Sequence, residues 1–247
     1  MKTVKCWIIW ALLLLASALP LSGCTNVISD PLKIRISFDA NGLSMTGALL
    51  KLSNDARIPI GVEYVDRQQL TQIVPVHLSS ATVDDILRAI FRTRPDYIWS
   101  VREGVVLITN TAIQRVNNNI FRLLIPSYVL NRDATVQEAS NLLWMTARLV
   151  LDPSISGFAG EYSSGDLKRT VSRTAIDTKT VSDILNYIVA CDGLTSWIVQ
   201  RPFASSSPIP SDEPWMMVNH LSTKGHEDEI VENLLSHFPE DKPRAPH

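Results

Sequence analysis

The chain has 247 residues, the length of one large domain or two small ones. Hydrophobic residues make up 45% of the sequence, which is enough for a core, and charged residues make up 19%, below the usual level of soluble proteins. The 23 Lys and Arg against 25 Asp and Glu give a net charge of −2, which excludes the strong positive field that nucleic-acid binding requires. The 3 cysteines are too few for a disulfide-rich scaffold.

The N-terminus has the pattern of an export signal. Lys2 and Lys5 form a short positive region, and the uncharged, strongly apolar stretch Trp7–Leu19 follows them. The alternative is an uncleaved membrane anchor, because Cys6–Ser29 contains no charged residue. A spanning helix needs about 20 apolar residues, and small and polar residues dilute the second half of this run. We therefore expect a signal peptide over residues 1–23.

The end of this segment, Leu21-Ser22-Gly23-Cys24, resembles the bacterial lipobox. The resemblance implies cleavage between Gly23 and Cys24, followed by attachment of diacylglycerol and a further acyl chain such as palmitate at Cys24. Thr25, rather than Asp, follows the cysteine, which implies sorting to the outer membrane with the protein facing the periplasm. Residues 24–32 then form a short polar tether, and the acyl chains hold the protein on the membrane.

Beyond the tether, alternating and helical apolar patterns predict a small unit of strand, helix, two strands, helix and two strands. The predicted elements are a strand at Ile34–Phe38, a helix that begins after Ser44, strands at Ile60–Val65 and Val74–Leu78, a helix that begins at Thr82, and strands at Tyr97–Val101 and Val105–Thr109. A three-residue loop containing Gly104 joins the last two strands as a hairpin.

The same order of elements is predicted again downstream. Thr180–Leu185 repeats the sequence pattern of Thr82–Leu87, and both begin a helix with the same apolar face. Thr135–Glu138 has the capping-box pattern that opens a helix upstream of it. Ser196–Val199 then stands where Tyr97–Ser100 stands in the first unit. The pattern indicates an internal repeat.

The C-terminal part of the second unit contains a long polar segment. Ser205–Pro214 is rich in Ser and Pro, and we interpret it as a long hairpin loop with Trp215–Asn219 as the returning strand. The alternative is a domain boundary at Pro202. Apolar spacing then predicts a last helix over Glu227–Phe238.

The apolar pattern of the first unit includes Ile36-Ser37-Phe38-Asp39, Ala48-Leu49, Val74-Val76-Leu78, Thr82-Val83 and Val106-Leu107-Ile108. This pattern resembles the secretin and TonB-receptor short N-terminal domain over Lys33–Asn110, and more loosely over Phe121–Leu221. That family is a small α+β signalling and docking module, which stands in the periplasm ahead of outer-membrane secretins or receptors. The chain has no stretch long enough for the pore or barrel that such domains usually precede, so the resemblance implies docking and no catalytic residue.

We therefore expect an α+β fold, with two small β-α-β-β-α-β-β-like modules in tandem and a C-terminal helix. The expected division is a signal peptide over 1–23, a tether over 24–32, a first module over 33–112, a second module with a long Ser- and Pro-rich loop over 119–222, a helix over 223–239 and a disordered tail over 240–247.

The sequence offers little catalytic or metal-binding chemistry. Cys191 is expected to be a buried structural thiol, because nothing near it in sequence supplies a base. His220, His226 and His237 are close in sequence, yet their spacing matches no recognised metal motif. In Gly160–Gly165 the Ser lies out of register for a nucleophile elbow. We expect no enzyme activity, no metal and no cofactor.

Three tryptophans on predicted strands, Trp99, Trp197 and Trp215, are candidate contacts for a protein partner or for glycan rings if they are exposed, and core residues if they are not. The favoured hypothesis is a lipid-anchored lipoprotein that binds an envelope protein, such as a secretin-like outer-membrane assembly, through exposed strand edges. The alternatives are a cell-wall or glycan-binding lipoprotein and, more remotely, a hydrolytic enzyme that depends on His220 and His226. Nucleic acid is not an expected partner.

Overall fold

The computed structural model describes residues 30–65, 67–111, 120–151, 162–164, 170–192, 196–200, 217–221 and 227–236. These residues form an α+β fold, which confirms the expected fold class. The predicted signal peptide, the cleavage site Gly23 and Cys24, the Ser- and Pro-rich loop and the C-terminal tail lie outside the described residues.

The α-helices and the strands of the described residues are each numbered in chain order. The helices are α1 (Met45–Ala56), α2 (Arg67–Thr71), α3 (Val83–Ile90), α4 (Val136–Leu151), α5 (Val181–Asp192) and α6 (Glu227–Ser236). The strands are β1 (Arg35–Asp39), β2 (Ile60–Val65), β3 (His77–Thr82), β4 (Tyr97–Arg102), β5 (Val105–Asn110), β6 (Leu124–Leu130), β7 (Ala134–Thr135), β8 (Tyr162–Ser164), β9 (Thr170–Val171), β10 (Thr174–Thr180), β11 (Ser196–Gln200) and β12 (Met217–Leu221). We call β1–β5 with their helices the first half, and β6–β12 with theirs the second half.

Helix starts are set by local side-chain caps. The Ser44 side chain accepts a hydrogen bond from the Gly47 N–H at 3.1 Å and begins α1. Thr82 and Asp85 form a full capping box at the start of α3. The side chain of Thr135 accepts from the Glu138 N–H at 3.1 Å and so caps α4. Such caps contribute about 1 kcal/mol each, which is why these starts are legible in the sequence.

One predicted strand begins too early. Val74–Leu78 is expected to form a strand, but β3 runs from His77 to Thr82. Val74 and Val76 are buried all the same, at 4% exposure each. Pro75 lies between them and has no N–H to donate to a sheet. The backbone of Val74 and Val76 instead bonds Leu43 and Ala40, beside the N-terminus of α1.

A six-stranded sheet in the order β4-β5-β2-β11-β12-β8 connects the two halves. Each half contributes three strands in the same arrangement. In the first half, β4 and β5 form an antiparallel hairpin, and β5 pairs in parallel with β2, the strand that follows α1. In the second half, β11 and β12 form an antiparallel hairpin, and β12 pairs in parallel with β8, the strand that follows α4. The two triplets join where β2 pairs in parallel with β11.

The pairing of β11 with β12 bears on the long polar segment between them. Ser196 to Gln200 pair with Leu221 to Met217 in antiparallel register, as a hairpin with a long loop requires. The described part of the returning strand, Met217–Leu221, contains the last three residues of the predicted strand. Residues 201–216, which join these strands, lie outside the described residues, so the hairpin loop and the domain boundary at Pro202 both stay predictions.

Two hydrophobic cores lie on opposite faces of the six-stranded sheet. Val106 and Ile108 of β5 belong to the core formed with α1 and α3, whereas Val105 and Leu107 belong to the core formed with α4 and α5. Every residue of β5 is buried. A strand that is covered on both faces needs a continuous apolar run rather than an alternating one, which explains the sequence of Val105–Ile108.

The C-terminal helix α6 returns to the first half. Val231 and Leu234 belong to the core formed with α1 and α3, with exposures of 8% and 1%. α6 also contacts α1 and α2. The chain therefore crosses from the second half back to the first, a path that the apolar spacing of Glu227–Ser236 does not reveal.

Smaller ladders complete the fold. They pair β1 with β3, β6 with β10 and β7 with β9, all antiparallel. Within the described ranges, no helix is both long enough and apolar enough to cross a membrane.

Candidate functional site

The open edge of β4 is the most prominent candidate for binding. Among the described residues, β4 ends the six-stranded sheet and pairs with β5 alone. The strand is six residues long and contains no proline. Ile98 is 44% exposed and Val101 is 36% exposed. A regular edge of this length, with apolar side chains, is a template for an added strand.

The hairpin register shows which backbone groups of β4 face outward. The Thr111 N–H donates to the Asp96 carbonyl at 2.8 Å, and in an antiparallel pair directly bonded positions alternate along the strand. Ile98 and Ser100 are therefore bonded to β5, whereas Trp99 and Val101 turn their N–H and C=O groups toward the open edge. These two residues offer donors and acceptors to an incoming backbone.

A tight turn holds the hairpin together. Glu103 and Gly104 have φ angles of 53° and 80°, the left-handed pair of a two-residue turn that matches the twist of the strands. Arg102 is thus the last residue of β4, and the loop is one residue shorter than the sequence indicates. Lys179 of β10 lies 3.4 Å from the Glu103 carboxylate and ties the turn to the second half.

Asp96 fixes the start of β4. Arg94 contacts its carboxylate with two nitrogens, at 3.0 and 2.9 Å, and the side-chain amide of Asn110 donates to it at 2.9 Å. The hydrogen bond from Arg94 is the main reason that the pKa of Asp96 is below its usual value. The Arg94 guanidinium also lies over the Tyr97 ring at 4.8 Å. These contacts make the edge strand rigid at one end.

Trp99 is half-buried and well held. Its indole N–H donates to Asp84 at 2.8 Å, its ring stacks on Phe91 at 5.9 Å, and the Arg88 guanidinium lies 6.0 Å from the ring. Arg88 also pairs with Asp84 at 2.9 Å. The Trp99 ring therefore packs against the core formed with α1 and α3, and the backbone of Trp99 faces the open edge.

Trp197 is not a surface contact. It is fully buried, its ring stacks on Phe121 at 5.9 Å, and its indole N–H donates to the Asn186 side chain at 3.0 Å. The expectation that Trp197 contacts a partner or a glycan is therefore wrong, because the residue fills the space between β2 and α5. Trp215 lies outside the described residues.

A cavity of about 90 Å³ opens beside β4 on the face toward the second half. Its polar lining comes from both halves, and apolar side chains of β4, β5 and the turn at Ile120–Arg122 complete it. The lining residues include Glu63, Ile98, Ser100, Arg102, Arg122 and Ser182. The cavity thus adjoins the edge strand and is continuous with its side chains.

Glu63 is the buried acid of this cavity. It is 8% exposed, and the Ser182 hydroxyl donates to its Oε1 at 3.3 Å. Burial raises the pKa of Glu63, while hydrogen bonds from Thr109 and Ser182 and the nearby Arg102 oppose that rise. Arg102 lies 3.7 Å from Asp183 of α5. A charged residue within the apolar run of β2 is the sequence signal that could have identified this site.

A short relay of hydroxyl groups connects the two halves on the other side of β2. The Ile60 N–H donates to the Ser196 hydroxyl at 3.0 Å, Ser196 and Ser53 lie 2.7 Å apart, and the Ser53 hydroxyl donates to the Ile58 carbonyl at 2.7 Å. Because the Ser53 proton is directed to Ile58, Ser196 donates to Ser53. All three bonds are buried, so each satisfies a group that water cannot reach.

Cys191 differs from the sequence expectation. It is half-buried at the end of α5, and it is disulfide-bonded rather than a free thiol. The chain contains two other cysteines, Cys6 and Cys24, and both lie outside the described residues.

The candidate metal ligands do not come together in the part of the chain that the structure covers. Within those ranges, no three His, Cys, Asp or Glu residues converge as a metal site would require. His220 lies in β12, where it is the register partner of Trp197. His226 and His237 lie outside the described residues.

No protein-family model matches the chain, and no curated protein or solved structure matches it significantly. The candidate site is therefore defined by geometry alone.

Proposed function

We propose that this chain is a lipid-anchored lipoprotein of the bacterial envelope that binds a protein partner by adding the partner's strand to β4. The observation that carries the proposal is the open edge of β4 at the end of the six-stranded sheet. The same sheet already joins the two halves of the chain by pairing one strand with another, β2 with β11. In strand addition, backbone hydrogen bonds supply affinity and pockets for alternate side chains supply specificity.

Both requirements have a counterpart at this edge. Trp99 and Val101 turn their backbone N–H and C=O groups toward the open edge. Ile98, Ser100 and Arg102, the side chains of β4 on the face toward the second half, line the polar cavity. An added strand would place every second side chain at the mouth of this cavity, beside Arg102 and Arg122. The cavity therefore acts as the selective part of the site.

The proposed setting is the periplasmic face of the outer membrane. Support for it comes from the apolar leader and the lipobox-like Leu21-Ser22-Gly23-Cys24. The apolar pattern that resembles the secretin and TonB-receptor short N-terminal domain supports a secretin-like or other outer-membrane assembly as partner. In this proposal no catalytic step, metal or cofactor takes part.

Crosslinking of the tagged protein in the membrane fraction, with mass spectrometry of the product, tests the proposal. We expect capture of one identified outer-membrane protein, with loss of capture in Cys24→Ser and in Val101→Pro. Proline at position 101 removes an outward N–H without removing a bond to β5, and Val101→Ala is the matched control that retains the N–H. Equal capture by Val101→Pro and Val101→Ala would contradict strand addition at β4, and capture of cell-wall fragments alone would favour glycan binding.

A further inference from the structure

The strands at the two ends of the six-stranded sheet occupy the same positions within their halves as the two strands that pair at its centre. At the centre, β2 of the first half pairs in parallel with β11 of the second half. Among the described residues, the ends of the sheet are β4, the counterpart of β11, and β8, the counterpart of β2. The chain therefore carries, at its two outer edges, the two surfaces that its own central junction has already joined.

The registers and the two cores define the correspondence residue by residue. Ile108 pairs with both Trp99 and Val62 in the first half, and His220 pairs with both Trp197 and Ser163 in the second. Each tryptophan packs on the core of its own half, and the offset of 98 residues between Thr82 and Thr180 also joins Trp99 with Trp197. Trp99 thus corresponds to Trp197, and Val62 to Ser163, one residue away from the alignment that the strand sequences indicate.

The outward backbone groups agree with this correspondence. The Pro59 carbonyl bonds to β5, so alternation along β2 turns the N–H and C=O groups of Val62 toward β11. Because Trp197 pairs with Gly61 and Ile198 with Val62, Trp197 and Val199 turn their N–H and C=O groups toward β2. Their counterparts in β4 are Trp99 and Val101, the two residues whose N–H and C=O groups face the open edge.

We propose that a second copy of this chain adds its β8 to β4 in parallel, head to tail, so that Trp99 of one copy lies opposite Tyr162 of the next. This inference rests on the proposed function and names one occupant of the β4 edge. The contact joins different surfaces of the two copies, so it propagates along a series of copies. The last copy in the series keeps an open β4 for an envelope partner.

The short length of β8 sets where this contact forms. The described part of β8 has three residues, Tyr162–Ser164, and a contact through these residues makes few backbone hydrogen bonds and is weak between freely diffusing copies. Chains held by lipid at Cys24 share one membrane surface, which raises their effective concentration. The series therefore forms on the membrane in preference to dilute solution.

Paired cysteines test the register. Two differently tagged versions are co-expressed, one with Ser100→Cys in β4 and one with Ser163→Cys in β8, and membranes are oxidised under mild conditions. In the central junction Ile198, the counterpart of Ser100, pairs with Val62, the counterpart of Ser163, so Ser100 is expected opposite Ser163. The control pair is Ser100→Cys with Ser127→Cys, an exposed position in β6. Cys191 is present in both pairs, so any product that it forms appears in the control as well.

We expect a product with both tags from the first pair, at least several-fold above the control pair. Equal yields from the two pairs, or no product from the first, would overturn the proposal. A product from Ser100→Cys alone would show a two-fold contact between β4 strands and would also overturn it. Failure of this test together with capture of an outer-membrane protein that Val101→Pro abolishes would leave the proposed function standing. Failure of both tests would reject both.

Discussion

Trp197 occupies the space that a side chain at Gly61 would need. A Cβ atom on Gly61 would lie 2.5 Å from Cε2 of the indole and 2.6 Å from Cζ2, closer than non-bonded carbon atoms approach. The two residues are register partners where β2 pairs with β11. The junction between the two halves thus depends on a glycine at this position, which lets the fully buried indole lie directly over the strand.

Gly61→Ala is expected to lower the free energy of unfolding by about 1–3 kcal/mol, because overpacking a rigid buried site forces its neighbours to shift. Denaturant unfolding measures the change. Gly47→Ala in α1 is the control, since a Cβ there meets its nearest atom at 3.3 Å and alanine favours a helix. Combining Gly61→Ala with Trp197→Phe should cost less than the sum of the two single changes. Strict additivity would contradict a direct clash.

Ser196→Ala is expected to destabilise the protein by about 1–3 kcal/mol, the usual cost of leaving buried polar groups without partners. The substitution removes the acceptor for the Ile60 N–H and the donor to Ser53. Thermal or denaturant unfolding gives the value, and Ser79→Ala at an exposed position of β3 is the matched control. A loss no larger than that of the control would show that the hydroxyl relay does not stabilise the junction.

The stability of the wild-type protein should fall as pH rises through the raised pKa of Glu63. The folded state binds this proton more tightly than the unfolded state, so the contribution is complete below the ordinary glutamate pKa and is lost above the raised one. Glu63→Gln keeps a neutral side chain at all pH values. Its stability relative to wild type should therefore increase from pH about 4 to pH about 8 in denaturant titrations.

Glu138 provides a control of opposite sign for the pH experiment. A backbone hydrogen bond from Thr135 lowers the pKa of this exposed carboxyl, so its contribution is present above the ordinary pKa and is lost as pH falls through the lowered one. Glu138→Gln should thus lose stability relative to wild type at neutral pH and approach it in acid. The same slope for both variants would contradict the assignment of burial as the cause at Glu63.

The lipid anchor at Cys24 can be tested on protein extracted from membranes. Intact mass measures whether Cys24 is the N-terminal residue and whether it carries acyl chains. We expect an acylated N-terminal Cys24. A chain in which Cys24 is unacylated and disulfide-bonded would contradict the lipid anchor.

The sequence predicts best those features that depend on neighbouring residues. The caps at Ser44, Thr82 and Thr135 and the turn at Gly104 each involve contacts over a few residues, so their residue types alone indicate them. The apolar alternation predicts the wrong start for β3, because it continues through Pro75, where the backbone does not join the sheet.

The candidate site depends on contacts that have no local signal. β2 pairs with β11 across more than half of the chain, and the cavity brings Glu63 together with Ser182. Alternation predicts that β4 is a strand but not that it ends a sheet, since edge and centre strands differ only in what lies beside them. The sequence leaves Trp197 open as a contact or a core residue for the same reason, because a large aromatic side chain suits both the surface and the core. Gly61 within an apolar strand does indicate a close approach of other atoms.

Site-specific photo-crosslinking in cells tests strand addition at β4 most directly. A photoreactive side chain replaces Val101 in β4, and the matched control replaces Val129 in β6, which is 43% exposed but lies away from the β4 edge. If β4 binds the partner, we expect a covalent product with one identified outer-membrane protein from position 101 and none from position 129. The same product from both positions, or none from position 101, would contradict the claim that β4 is where this protein binds its partner.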